Sequence, residues 1–220
     1  MSIQQNLKTI KDTLPKEVTL VAVSKTKPVS DIMQAYQAGQ REFGENKIQD
    51  MADKHAIMPK DIAWHMIGHV QRNKVKYMAS FVSLIHGVDS LKLLEEINKQ
   101  AQKHNRVINC LLQIKIATED TKFGMPPEEV LNIINTEAFS QLKNINITGL
   151  MGMASFTTNT TQVTAEFKKL EHTFNNLKSN KLPNFNIKII SMGMSADYKL
   201  AIACGSNMIR VGSSIFGARH

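Results

Sequence analysis

The sequence predicts an α/β fold: a single-domain (β/α)8 TIM barrel with an extra N-terminal helix, spanning residues 1–220. Three observations predict it. Short apolar runs alternate with longer amphipathic segments, the order expected of a parallel sheet covered by helices. Several runs are rich in β-branched residues and apolar on both faces, as buried parallel strands are. Eight such runs fit in 220 residues, close to the roughly 250 residues of a closed barrel.

The candidate strands are residues 18–24, 41–44, 62–67, 81–86, 107–116, 145–153, 187–192 and 208–211. Between them lie helix patterns. The clearest is Val163, Phe167, Leu170, Phe174 and Leu177, spaced four, three, four, three. Val29, Ile32, Met33 and Tyr36 form a second stripe. Asp89 is expected to cap a helix with Leu94, Ile97 and Ala101 on its inner face. Pro126 and Pro127, followed by Glu128 and Glu129, read as a helix start with acids near its positive end. Only residues 212–220 follow the last strand, too few for a full covering helix. An N-terminal helix at about residues 3–14 is expected to fill that gap. The chain shows no linker and no low-complexity tract.

Composition narrows the classes. With 42% hydrophobic and 21% charged residues the chain reads as globular, not disordered. The net charge of +8 suits an anionic ligand or a nucleic acid. Lys8, Lys54, Lys99, Lys143 and Lys188 are scattered, however, and no basic run adjoins an aromatic platform, so a solvated basic surface is expected and nucleic acid is not a partner. The two cysteines, Cys110 and Cys204, belong to no Cys/His cluster, so no metal site is expected. No run approaches the ~20 apolar residues of a membrane helix, and the N-terminus lacks the apolar core of a signal peptide. A cytoplasmic monomer, with no membrane association, is the expectation.

Function in such a barrel gathers at the C-terminal ends of the strands. The first strand ends in Ser24-Lys25, the second in Gly44-Glu45-Asn46, and the third carries Trp64-His65 and ends near Gly68. The sixth ends in Met151-Gly152-Met153, the seventh in Ser191-Met192-Gly193-Met194-Ser195, and the eighth carries Arg210 and ends in Gly212-Ser213-Ser214. Glycine and serine after the last two strands supply backbone N–H groups and hydroxyls to an anion, and a phosphate site recurs there in this fold. Lys25 closes an apolar run at the barrel mouth, where a lysine loses its proton more readily and becomes a nucleophile toward an aldehyde. Lys27 competes with it, but belongs to the turn before Pro28. Arg210 on an apolar strand needs an acceptor or a ligand, since a buried unpaired charge is very costly. A lysine, a phosphate cradle and an arginine on one rim point to pyridoxal 5′-phosphate.

Several stretches carry a family resemblance. They are Ala22-Val23-Ser24-Lys25-Thr26-Lys27-Pro28, Phe43-Gly44-Glu45-Asn46, Trp64-His65-Met66-Ile67-Gly68 and Gln71-Arg72-Asn73-Lys74, then Lys122-Phe123-Gly124, Gly149-Leu150-Met151, Ser191-Met192-Gly193-Met194-Ser195 and Arg210-Val211-Gly212-Ser213-Ser214-Ile215-Phe216-Gly217. In this order, over nearly the whole chain, the sequence resembles the pyridoxal phosphate homeostasis protein family, relatives of the alanine racemase barrel domain. The resemblance implies a Schiff base on Lys25, Asn46 and His65 near the cofactor ring, and Arg210 at the pyridine nitrogen. It implies Ser191, Ser195, Gly212 and Ser213 at the phosphate. Met151, Met153, Met192 and Met194 read as barrel packing, since methionine fills irregular gaps, and Met151 also counts among the cofactor-binding candidates. The loop 154–161 matches least. The family handles pyridoxal phosphate in vitamin B6 and amino-acid homeostasis without an established reaction, with pyridoxal phosphate-dependent apo-enzymes as possible acceptors.

An arginine can donate to the pyridine nitrogen but cannot protonate it, which weakens the ring as an electron sink. Little or no racemase activity is therefore expected. A weak amino-acid racemase is the alternative. An aldolase using Lys25, with Glu45 or Asp197 as its acid, is a third reading.

Overall fold

A computed structural model describes residues 2–119 and 123–217, so Lys122 of the Lys-Phe-Gly stretch lies outside the described residues. Eight parallel strands follow one another around a closed barrel: β1 (Thr19–Val23), β2 (Glu42–Glu45), β3 (Ala63–Met66), β4 (Leu84–Val88), β5 (Ile108–Ile114), β6 (Ile145–Gly152), β7 (Phe185–Ser191) and β8 (Met208–Val211). Closure is made by β8 against β1, in a register that sets Val21 beside Arg210. The architecture is the (β/α)8 barrel that the alternating pattern predicts.

Helices α1 (Ile3–Thr13), α2 (Val29–Gln37), α3 (Ile48–Ile57), α4 (Leu91–Lys103), α5 (Pro127–Ile134), α6 (Glu137–Ser140), α7 (Thr160–Leu177), α8 (Tyr198–Ala203) and α9 (Ser213–Phe216) surround it, with a 3-10 segment, Arg72–Tyr77, after β3. The periodic stripe of α7 is its buried face: Val163, Phe167, Leu170, Phe174 and Leu177 all pack inward. Helix α1 starts where Ser2 Oγ accepts from the Gln5 N–H at 3.2 Å, and buries Leu7 and Ile10. Asn6 Nδ2 then donates to Ile215 O at 3.1 Å, so α1 covers the gap left by the short α9.

The fourth strand lies further along than the 81–86 pattern predicts. Val82 N–H bonds Met78 O at 2.9 Å and finishes the turn after the 3-10 segment, so pairing begins only at Leu84. The shift also moves the start of the next helix. Ser90, not Asp89, is the N-cap of α4, and the Asp89 carboxylate instead lies 3.4 Å from His69 Nδ1 at the barrel rim.

The strands' two-residue period sorts the interior into layers. Val21, Leu84, Leu111, Met151 and Met208 form an apolar cluster, with Ile189 and Met153 packed against it. Two residues nearer the mouth, the same strands offer His86, Gln113, Ser191 and Arg210, and β3 adds His65, all buried. Burying a large aliphatic side chain is worth roughly 1.5–3 kcal/mol, whereas a buried polar group without a partner costs about as much or more. The upper layer is therefore tolerable only where each polar group finds a hydrogen-bond partner. Among the described residues no helix is long and apolar enough to cross a membrane.

Candidate functional site

A cavity of about 510 Å³ opens at the C-terminal mouth, within the usual range for small-molecule sites. Lys25, Asn46, Ser195, Arg210, Gly212 and Ser213 all line it. Sequence neighbours do not explain this convergence. The barrel ends of β1, β2, β7 and β8 do.

Lys25 is the first residue of a tight reversal after β1. Lys27 N–H bonds Ser24 O at 3.1 Å, and Thr26 takes a left-handed φ of 63°, unusual for a β-branched residue. The reversal leaves Lys25 half-buried in the cavity wall. Lys27 also lines the cavity, but its Nζ donates to Phe216 O at 3.0 Å. Asn46 is held against Gly68, where an added Cβ would overlap the Asn46 backbone, so only glycine allows that approach.

The opposite wall comes from the loops after β7 and β8. Ser195 Oγ accepts from Gly212 N–H at 3.2 Å and from Ser214 N–H at 3.4 Å, which joins the two loops. Asp197 Oδ1 accepts from Met194 N–H at 2.6 Å and closes the first of them. The result is a cluster of hydroxyls and backbone N–H groups suited to an anion.

Arg210 forms part of the floor and is 4% exposed. Its Nη1 donates to Ser191 O at 2.9 Å and to Ser191 Oγ at 2.6 Å, and its Nη2 to Gly152 O at 3.1 Å. Among the described residues these bonds take three of the five N–H donors of a guanidinium. Burial pulls its pKa down to about 10, with Asp197 opposing the shift, so it remains charged at neutral pH. Beneath lie His65 and His86. Burial lowers the His65 pKa to about 4 and holds His86 well below the ordinary histidine value, so both rings are neutral.

His65 and Ser191 thus lie under the floor and do not line the cavity. Met151 belongs to the apolar layer deeper in the barrel. Glu45, the acid that an aldolase reading would use, is fully buried on the helix side of β2. There it meets Lys54 Nζ at 2.7 Å and Ser24 Oγ at 2.5 Å.

The structure adds residues that the strand-end reading passed over. Gln113 on β5 lines the cavity and donates through Nε2 to Phe123 O at 3.0 Å. Phe123 stacks on His69, ring centroids 4.7 Å apart, and Phe156 stands at the rim, 86% exposed. The loop 154–161 supplies Ala154, Ser155 and Phe156 to the cavity. Glu166 on α7 anchors it, and its signal was a carboxylate on the inward stripe beside Val163 and Phe167. His86 and Gln113 carried a similar signal, as polar residues near the ends of apolar strands four and five.

The groups present fit pyridoxal phosphate. An amine, a charged donor and an anion cluster stand on separate sides of one cavity, matching its aldehyde, its ring nitrogen and its phosphate. Fold and site define a (β/α)8 barrel whose mouth carries a hydroxyl and N–H cluster suited to an anion, with a lysine in its wall.

Residues 1–220 match the family described as alanine racemase, N-terminal domain. A pyridoxal phosphate homeostasis protein of Haemophilus influenzae is 38% identical, with 100% of this chain and 97% of the relative covered. The Escherichia coli K12 protein of the same name is 36% identical over 93% of this chain and 87% of its own. Among solved structures, PipY of Synechococcus elongatus with pyridoxal phosphate bound superposes with a TM-score of 0.89 at 34% identity, covering 98% of this chain and 100% of PipY. A Clostridium difficile alanine racemase shares the fold, with a TM-score of 0.78 at 16% identity, over 99% of this chain and 57% of the racemase. The chain belongs to the alanine racemase N-terminal domain family, in its group of pyridoxal phosphate homeostasis proteins.

Proposed function

We propose that this chain binds pyridoxal 5′-phosphate as a Schiff base on Lys25 and acts in intracellular vitamin B6 and amino-acid homeostasis, without robust catalysis. One observation carries the reading: Lys25, Arg210 and the joined Ser195–Gly212 loops face one cavity of about 510 Å³. The relatives' name and the ligand in the PipY structure support it.

Bound pyridoxal phosphate supplies an electron sink for chemistry at the α-carbon of amino acids. The protein's part is to bind and orient. Ser195, Gly212 and Ser213 take the phosphate, Lys25 takes the aldehyde carbon, and Asn46 stands beside the ring. Arg210 offers the ring nitrogen a hydrogen bond and no proton, since a guanidinium does not deprotonate in this range. The sink stays weak, which suits holding the cofactor and passing it to apo-enzymes better than turning over amino acids. We read the chain as one domain that works as a cytoplasmic monomer.

The test is the visible absorption spectrum of the purified protein, of Lys25→Ala, and of the parent after borohydride. The expected result is a yellow band that is absent from Lys25→Ala and is fixed by reduction to the Lys25 peptide. A parent that stays colourless with added pyridoxal phosphate rejects the reading. Robust racemisation of common amino acids would replace homeostasis with the racemase alternative.

A further inference from the structure

The polar layer under the cavity is continuous. Arg210 Nη1 lies 2.6 Å from Ser191 Oγ, Ser191 Oγ lies 3.1 Å from His86 Nδ1, and His86 Nε2 lies 3.1 Å from His65 Nδ1. The four side chains come from β8, β7, β4 and β3, so the chain crosses the barrel from one wall toward another. Arg210 and His65 are 4% and 5% exposed, and Ser191 and His86 are 0% exposed. The Ser191 hydroxyl and the His86 ring, fully buried in the middle of the chain, need their hydrogen-bond partners within the protein.

That requirement gives the chain a direction. A guanidinium only donates, so Ser191 Oγ accepts from Arg210. Among the described residues, the remaining contact of the Ser191 hydroxyl is His86 Nδ1, which must therefore accept its proton. His86 then carries its hydrogen on Nε2 and gives it to His65 Nδ1, and His65 carries its own on Nε2. The opposite tautomers would leave a buried hydroxyl proton without an acceptor, a loss of about 1–3 kcal/mol in general.

We infer that His65, His86 and Ser191 are a one-way positioning chain that orients the Ser191 hydroxyl and, together with the carbonyls of Ser191 and Gly152, holds the Arg210 guanidinium in a single rotational state at the cavity floor. The inference rests on the proposed ligand only for its consequence, a donor already oriented toward the cofactor ring. The burial of both imidazoles, which keeps them neutral, suits the arrangement, because a charged ring carries hydrogen on both nitrogens and has no acceptor for its neighbour. A merely space-filling pair of histidines would set no tautomer and no guanidinium rotation.

The test begins with nitrogen-15 NMR of the protein without added ligand. Both His65 and His86 are expected as neutral Nε2–H tautomers, and the two Nη signals of Arg210 as separate resonances. Ser191→Ala, which removes the hydroxyl and leaves the carbonyls of Ser191 and Gly152 as acceptors, is expected to speed exchange between the Nη signals. His86→Gln, whose carboxamide can accept from Ser191 and donate to His65, is expected to keep that exchange as slow as in the parent. In pyridoxal phosphate titrations Ser191→Ala is expected to bind about tenfold more weakly, with a displaced visible band. An Nδ1–H or charged histidine, Nη exchange in Ser191→Ala as slow as in the parent, or parent-like affinity and band in that variant would each overturn the inference. A parent with the expected tautomers and separate Nη signals but no affinity for pyridoxal phosphate supports the positioning chain and rejects only the ligand reading.

Discussion

Glu166 accepts the Ser155 backbone N–H at 2.6 Å through Oε2 and the Ser155 hydroxyl at 2.7 Å through Oε1, so a carboxylate on the outer helix α7 holds a loop that lines the cavity. The same carboxylate accepts from Thr118 N–H at 3.1 Å and Gln162 Nε2 at 3.2 Å. Burial opposes its ionisation, but the bonds from Ser155, Thr118 and Gln162 hold its pKa below the usual carboxylate value. Glu166→Ala strands several N–H groups and should cost about 2–4 kcal/mol in urea unfolding, with Glu166→Gln costing less. Pyridoxal phosphate affinity should fall in both, in proportion to loop release measured by limited proteolysis.

Ser195 is expected to matter to the phosphate alone. Removing its hydroxyl leaves the N–H groups of Gly212 and Ser214 without their acceptor and takes one donor from the anion cluster. Ser195→Ala should weaken pyridoxal phosphate about tenfold and leave pyridoxal, which lacks the phosphate, nearly unchanged. Equal losses for both ligands in fluorescence titration would place the phosphate elsewhere.

Stability should fall between about pH 6.5 and pH 4 because His65 binds its proton readily only when unfolded. Its folded pKa is about 4, so in that window the unfolded chain holds more protons and acid favours it. The stability is fully present above the unfolded pKa and is lost as pH falls through the folded one, by roughly 3 kcal/mol in all. Urea midpoints measured across the window should slope accordingly for the parent. His65→Leu, which removes one of the two buried rings, should make the slope shallower and leave the part that His86 contributes, whatever it does to stability at neutral pH.

Gly193 carries a φ of +96°, and a Cβ there would lie 2.6 Å from Ala201 Cβ and 2.9 Å from Tyr198 Cα. Strain and overlap act together, so Gly193→Ala should destabilise by about 2–4 kcal/mol and lower the melting temperature by several degrees. It should also loosen the loop that presents Ser195, seen as a weaker phosphate contribution in the same titrations.

Local pattern determined a great deal of this protein. The four-three spacing of Val163 to Leu177 and the doubly apolar strand runs set the elements, because burial follows the periods of helix and strand. Eight strands of that kind made closure legible, and the strand-end rule brought Lys25, Asn46, Ser195, Arg210, Gly212 and Ser213 to one mouth before any coordinates did. The tertiary structure decided what depends on distance across the barrel. Strand register sent Met151 into the apolar layer and His65 and Ser191 beneath the floor, since a shift of two residues along a strand moves a side chain a whole layer. It turned Glu45 away from the cavity toward Lys54, and it joined His65, His86, Ser191 and Arg210, residues up to 145 positions apart, into one hydrogen-bonded chain. Periodicity reports which face a residue takes. Only the closed barrel reports which partner it meets there.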